Sequence, residues 1–276
     1  MKKLCKKLFN LLVSEFWKRQ LTIHQRNDSE LELKTRFENP LFLERYGFKV
    51  YAQSDEDGII EEIFNRIGLK SKTFIEFGAG DGIENNSHYL LHKGWNGLWI
   101  EGDRKAANKI KSLFKKPIDD NRLSVVNSFI TKDNINDLIE KEGGICGEID
   151  LLSIDIDGND YWIWEAIKCV SPRVVVIEYN AKFPPNHEWV MAYDANHQWD
   201  RTDKQGASLK ALELAGRELG YQLVGTNISG VNAFFVKDTI AGDLFFKPAI
   251  AEKLYNPARW TMQYISGHPS RAYIGN

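Results

Sequence analysis

Residues 74–82 read FIEFGAGDG: a short apolar run around Glu76, then glycine at 78, 80 and 82. A buried strand that runs straight into a glycine turn suits the first strand–helix unit of a doubly wound sheet. There the glycines let a ligand approach the backbone at the strands' carboxyl ends. A dinucleotide-binding turn spaces its glycines GxGxxG and aims a helix N-terminus at a pyrophosphate. Here the spacing is GxGxG, and Asp81 within the turn would repel phosphate. The turn therefore suits a ligand without phosphates that carries positive charge, such as S-adenosylmethionine. Glu76, inside the strand, adds to the negative field.

Downstream, Leu98–Glu101 (LWIE) reads as the next strand. Its terminal Glu101 lies about twenty residues past Gly78, the offset at which a carboxylate meets the ribose hydroxyls of an adenosine ligand. A nicotinamide dinucleotide would use the same acid, so this cue points to adenosine rather than to one cofactor. Asp103 is the near alternative.

Apolar strand-like and helix-like segments then alternate. Leu123–Val126, Ile149–Asp155 and Val174–Glu178 read as strands, and 105–115, 135–141 and 161–167 as helices. Ser208–Leu219 reads as a further helix, and Tyr221–Thr226 and Ala233–Lys237 as two late strands joined through Ser229-Gly230. Upstream, Asp55–Gly68 reads as a helix with an apolar face of Ile59, Ile60, Ile63, Phe64 and Ile67, closed by a glycine. The pattern predicts an α/β fold, a Rossmann-like, seven-stranded, mostly parallel sheet flanked by helices. Residues 1–50 form an N-terminal helical extension, 51–240 the main domain, 181–205 an insertion on the acceptor side and 241–276 a tail.

With these segments in place, the chain resembles class I S-adenosylmethionine-dependent methyltransferases over roughly residues 50–240. Residues 153–160 (SIDIDGND), followed by Val175–Glu178, resemble the FkbM-like branch. That branch reads Lys-x-Asp-x-Glu-Gly-x-Glu at the fourth strand. Asp155, Asp157, Gly158 and Asp160 match its positions, whereas Ser153 replaces the lysine. The YAQSDEDG stretch at 51–58 resembles the opening of some such proteins, with Gln53 a candidate donor contact. The resemblance implies O-methylation of a sugar or glycan hydroxyl. Glu76, Gly78, Gly80, Asp81, Glu101, Asp103 and Asp155 are the candidate donor-binding residues.

Asp155, Asp157 and Asp160 follow the fourth strand, and Glu178 and Asn180 end the fifth. Carboxylates crowded in one crevice must take up protons, meet cations or surround a metal. Oxygen donors of this kind suit Mg²⁺ or Mn²⁺. Some O-methyltransferases of this fold hold Mg²⁺ at these strand ends, and Asp155, Glu178 and Asn180 resemble that arrangement. A metal would activate the acceptor hydroxyl. Without one, Asp155, Asp157 or His187 is the candidate base. The bland reading of 157–160 is a polar loop that caps the next helix.

Other residues divide between functional and structural readings. His88 and His92 stand at i, i+4 but lack the acid of a zinc motif, which favours a pair on a helix surface. His197 has no supporting context. Asn85, Asn86 and Ser87 either contact the donor or cap a helix. In the insertion, Trp189, Tyr193 and Trp199 beside Asp194 and Asp200 suit either a sugar or a lid packed on its own core. Lys182 either offsets the acids or is solvated.

Composition bounds the rest. The 276 residues carry a net charge of -2, which disfavours bulk nucleic-acid binding. Cys5, Cys146 and Cys169 form neither a disulfide framework nor a thiolate zinc site. No apolar run is long enough to span a membrane. These features predict a cytoplasmic protein acting on a small-molecule or glycan acceptor. Residues 1–20 set Lys2, Lys3, Lys6, Lys7, Lys18 and Arg19 against Glu15 alone, with leucines at helical spacing. That stretch suits either docking on its own domain or contact with an anionic membrane surface or a partner. Two other readings of the chain are a non-catalytic module in glycan assembly and a nicotinamide-dependent oxidoreductase.

Overall fold

The computed structural model describes residues 34–200 and 202–259. The basic stretch at 1–20 and residues 260–276 of the tail lie outside these residues. Helix α1, Glu56–Ile67, precedes strand β1, Thr73–Phe77. Helix α2, His88–His92, leads to β2, Asn96–Glu101, and α3, Arg104–Leu113, to β3, Leu123–Asn127. Strand β4, Gly147–Ile154, is followed by α4, Asp160–Ala166, and β5, Val170–Glu178. Helix α5, Leu209–Glu218, and strands β6, Tyr221–Thr226, and β7, Asn232–Lys237, complete the sheet.

The seven strands lie in the order β3-β2-β1-β4-β5-β7-β6. Pairing is parallel from β3 through β5, while β7 runs antiparallel to both β5 and β6. The sheet is thus the expected mostly parallel, seven-stranded one. Successive residues of the central strands alternate between two cores. Phe74, Trp99, Val174, Val176 and Phe234 pack on one face with Ile60, Ile63 and Phe64 of α1 and Ile110 of α3. Ile75, Ile100, Val175, Ile177 and Phe235 pack on the other with Trp164 of α4 and Leu212 of α5.

Local chemistry sets the element ends. Asp103 caps α3 by accepting from the N–H groups of Lys105 and Ala106, and Ser208 caps α5 through Ala211. The helix expected at 135–141 is present, an α-helical turn, Ile135–Asp137, that continues as a wider π-helical turn, Leu138–Glu142.

Two buried polar clamps fix the frame. At the amino ends of β4 and β5, Asp150 accepts from the N–H groups of Lys70, Ser71 and Lys72 and pairs with Arg173 at 2.6 Å. Near the opposite edge, Asp57 accepts from the N–H groups of Val50, Tyr51 and Ala52. Glu56 accepts from Asn227 and Asn232, and Asp55 from the N–H of Ile228. The YAQSDEDG stretch therefore ties the start of α1 to the β6–β7 turn, which leaves Gln53 and Ser54 on the rim of the carboxyl end. Beyond β7, Asn256 and Arg259 are buried against that turn, where Arg259 donates to the Ile228 carbonyl. No helix of the described residues is long and apolar enough to cross a membrane.

Candidate functional site at the carboxyl ends of the strands

The glycine turn follows β1 directly. Gly78 (φ 70°) lies against β4: the Asp155 carbonyl oxygen occupies the place a Cβ would take. Gly80 (φ 57°) faces open space, with no atom within 4 Å of a Cβ built there. Beside it, Glu101 ends β2. Its two carboxylate oxygens accept from the N–H groups of Gly80 and Asp103, both at 2.7 Å. A carboxylate has about four lone-pair sites, so Glu101 keeps capacity for a ligand's hydroxyls. Burial raises its pKa, and the two N–H groups pull it back down.

Other candidates for the donor side take structural positions. The Asp103 side chain is spent on capping α3, which leaves Glu101 as the carboxylate open to a ligand. Glu76 is fully buried and accepts from Asn86 N–H, Ser87 N–H and the Ser87 hydroxyl. It anchors the loop before α2, and its charge adds to the negative field at Asp155. Asp81 pairs with Lys109 at 2.5 Å near the surface, so its charge is offset. Asn86 donates to Ser153.

One residue on this side has no counterpart in the sequence reading. Phe129, just past β3, is 47% exposed and lies against Gly102, the residue after Glu101. A large apolar side chain left in solvent beside Glu101 offers a face on which a flat ring could stack. The signal was the Asn127-Ser128-Phe129 step out of a strand into solvent, which no local pattern distinguishes from a core phenylalanine.

Next to the turn, a cavity of about 610 Å³ opens at the ends of β4 and β5. Asp155, Asp157 and Glu178 converge there, each offering an oxygen within 4.8 Å of the others'. Among the described residues their carboxylates make neither a hydrogen bond nor an ion pair. Burial, then Asp160 and Asp157, holds the Asp155 carboxyl well above the usual range. Burial, then Asp155, raises Glu178 likewise. Burial also raises Asp157, opposed by His197.

Asn180 does not complete this set, contrary to the sequence reading. Its amide donates to the carbonyls of Asp203 and Gln205, and its Oδ1 accepts from Lys182 N–H. It staples the base of the insertion, and Asp157 stands in its place as third carboxylate. Asp160 is also structural, since it accepts from Ile156 and Gly158 N–H within its own turn.

The insertion splits its aromatics. Trp199 lines the cavity, whereas Trp189 stacks on Phe183 with ring centroids 4.5 Å apart. Tyr193 accepts from Lys132 N–H. His187 is exposed, stacks on Phe183 and does not line the cavity, so the candidate base lies elsewhere. The histidine that reaches the acids is His197: its Nε2–H donates to the Asp157 carbonyl at 3.1 Å, and its ring packs over Gly158. Asp157 there has φ 58°, a left-handed conformation that Asp tolerates at some cost. The His88–His92 pair is not a surface pair. His88 is fully buried, stacks on Tyr51 and meets Phe114 edge-on, while the exposed His92 keeps its Nε2 3.2 Å from that of His88 and stacks on the same tyrosine.

No family model and no curated protein matches the chain. Among solved structures it is similar to an O-methyltransferase from Bacillus cereus in complex with SAH. They share 19% identity with a TM-score of 0.42, over 64% of this chain and 79% of that one. It is similar also to a putative O-methyltransferase from Klebsiella pneumoniae, at 14% identity and TM-score 0.42, over 72% and 90% of the two chains. A SAM-dependent methyltransferase from Aquifex aeolicus is similar at 13% identity and TM-score 0.38, over 64% and 87%.

Proposed function

We propose that the chain is an S-adenosylmethionine-dependent methyltransferase of the FkbM-like kind, transferring a methyl group to a hydroxyl of a sugar, nucleotide sugar or glycan. The observation that carries this reading is the join between two half-sites. A glycine turn with its hydroxyl-binding Glu101 abuts, through Gly78 and Asp155, a cavity lined by unpartnered carboxylates.

The donor supplies a methyl group on a positively charged sulfur. Glu101 accepts from the ribose hydroxyls, Phe129 covers the base, and the bare backbone of Gly80 leaves room for the ligand. Asp155 lies between the two half-sites. Its carboxyl, with those of Asp157 and Glu178, receives the proton that the acceptor hydroxyl gives up. Burial holds all three carboxyls above the ordinary carboxylate range, which makes their ionised forms stronger proton acceptors. Holding the two reactants at one strand edge supplies much of the rate.

The donor set Asp155, Asp157 and Glu178 also fits Mg²⁺ or Mn²⁺ by its oxygen chemistry, and such an ion would act as a Lewis acid on the hydroxyl. Methyl transfer that persists in EDTA assigns the proton to the carboxylates alone.

Calorimetric titration with S-adenosylhomocysteine tests the reading. Micromolar binding that weakens at least tenfold in Glu101→Ala is expected, and absence of binding to the folded wild-type chain rejects it.

A further inference from the structure

The cavity beside the glycine turn has an uneven chemistry. Asp155, Asp157 and Glu178 present carboxylates that make no hydrogen bond or ion pair among the described residues, although their oxygens lie within 4.8 Å of one another. Like charges this close repel strongly in a partly desolvated site. The cation at the rim, Lys182, pairs with Asp203 of the insertion. Two further polar groups line the same space. Ser54 is 1% exposed, and its Oγ has no hydrogen-bond partner. The Gln205 Oε1 is buried and also lacks one. Buried polar atoms without partners are rare in folded proteins, and those on residues lining a cavity are placed to take a ligand's hydrogen bond.

The unpartnered groups of the lining are thus mostly acceptors. A ligand that satisfies them brings N–H and O–H groups and positive charge. Trp199 adds shape to this requirement. It is 49% exposed, lines the cavity and is held at its edge by donating to the Thr202 carbonyl. Neither face of its ring has a stacking partner among the described residues. An indole face beside carboxylates is a surface for a cationic group or for the C–H face of a sugar ring. The donor's own single net positive charge would leave most of the cluster uncompensated.

We propose that the acceptor is an amino sugar, its ammonium seated among Asp155, Asp157 and Glu178 and its ring face on Trp199, with Ser54 and Gln205 meeting its hydroxyls. This rests on the methyltransferase reading for its role but not for its binding. It separates the acceptor from neutral sugars and from nucleotide sugars, whose phosphates the acids would repel.

The test uses the full chain at pH 7, with and without saturating S-adenosylhomocysteine. D-glucosamine, N-acetyl-D-glucosamine, D-glucose and MnCl₂ are titrated separately, with ligand-observed NMR as the readout. Glucosamine is expected to bind at least tenfold more tightly than either neutral sugar. Trp199→Ala and Glu178→Gln should each weaken glucosamine at least tenfold and leave S-adenosylhomocysteine binding within twofold. Trp199 is half-exposed, so its variant keeps the test readable if the Glu178 variant fails to fold. Equal binding of the three sugars, or none, overturns the proposal. So does Mn²⁺ that binds the cluster and excludes glucosamine, which would make the acids a metal site. Loss of S-adenosylhomocysteine binding alone rejects the methyltransferase reading, while the glucosamine preference is still read on the free chain.

Discussion

The carbonyl oxygen of Asp155 occupies the place where a side chain at Gly78 would begin. The turn after the first strand and the turn after the fourth are in backbone contact, and the two halves of the site meet at that point. The contact needs a residue without a Cβ and with positive φ, and Gly78 supplies both.

Gly78→Ala should therefore separate the halves. The strained φ alone costs about 1–3 kcal/mol, and the steric conflict with β4 adds to it. A lowered urea midpoint together with loss of S-adenosylhomocysteine binding is the expected result. An unchanged midpoint would show that the turn relaxes without cost.

Glu101→Gln keeps the shape and removes the charge. Hydrogen bonds to a charged group contribute about 1.5–3 kcal/mol, so donor affinity should fall roughly tenfold to a hundredfold. Titration calorimetry measures this directly. Asp103→Asn is the control: Asn caps a helix about as well as Asp, and its effect on donor affinity should be small.

Asp150 and Arg173 form a buried pair far from the cavity. Removing one partner strands the other, and Asp150→Ala also leaves three backbone N–H groups without an acceptor. A loss of about 3–5 kcal/mol in unfolding free energy is expected. Donor affinity of the fraction that remains folded should not change.

Stability should vary with pH through two buried groups of opposite sign. Burial holds His88 down at about 4 against an ordinary 6.5. Between those values the unfolded chain binds more protons, so stability is lost as pH falls. Burial lifts Glu76 to about 7 from 4.5. In that window the folded chain binds more protons, so the contribution is full below pH 4.5 and lost as pH rises to 7. Denaturant midpoints across pH 4–8 check both: His88→Gln should flatten the acid limb and Glu76→Gln the neutral one.

What could be read from the sequence was local. The β1 strand and the helix at 56–67 follow from apolar spacing within a dozen residues, and both stand where that spacing put them. Gly78 and Glu101 follow from strand ends. The acid crevice follows from strand ends too, since Asp155, Asp157 and Glu178 converge there, but the rest of the cavity wall does not, because it comes from distant parts of the chain. Gln53 and Ser54 reach it only because Asp55, Glu56 and Asp57 spend their carboxylates on the frame. His88 misled for a related reason. An i, i+4 histidine pair on a polar-flanked helix looks like surface, and only tertiary packing brings Tyr51 over it. Asn180 read as a ligand because its type and position fit, yet its amide was needed to hold the insertion.

The insertion begins and ends at one place. Asn180 N–H donates to the Ala207 carbonyl, Met191 N–H to Gly206 and Ser208 N–H to Trp189. Its stem is thus closed like the neck of a purse, between the last residue of β5 and the cap of α5. A segment so closed can be exchanged without disturbing the sheet or the glycine turn. Trp199 and Gln205 would travel with it, whereas Asp155, Asp157 and Glu178 would stay. His197 would travel too, with its bond to the Asp157 carbonyl, so a graft from another chain at this neck should change which molecule is modified while leaving the glycine turn and Glu101 intact.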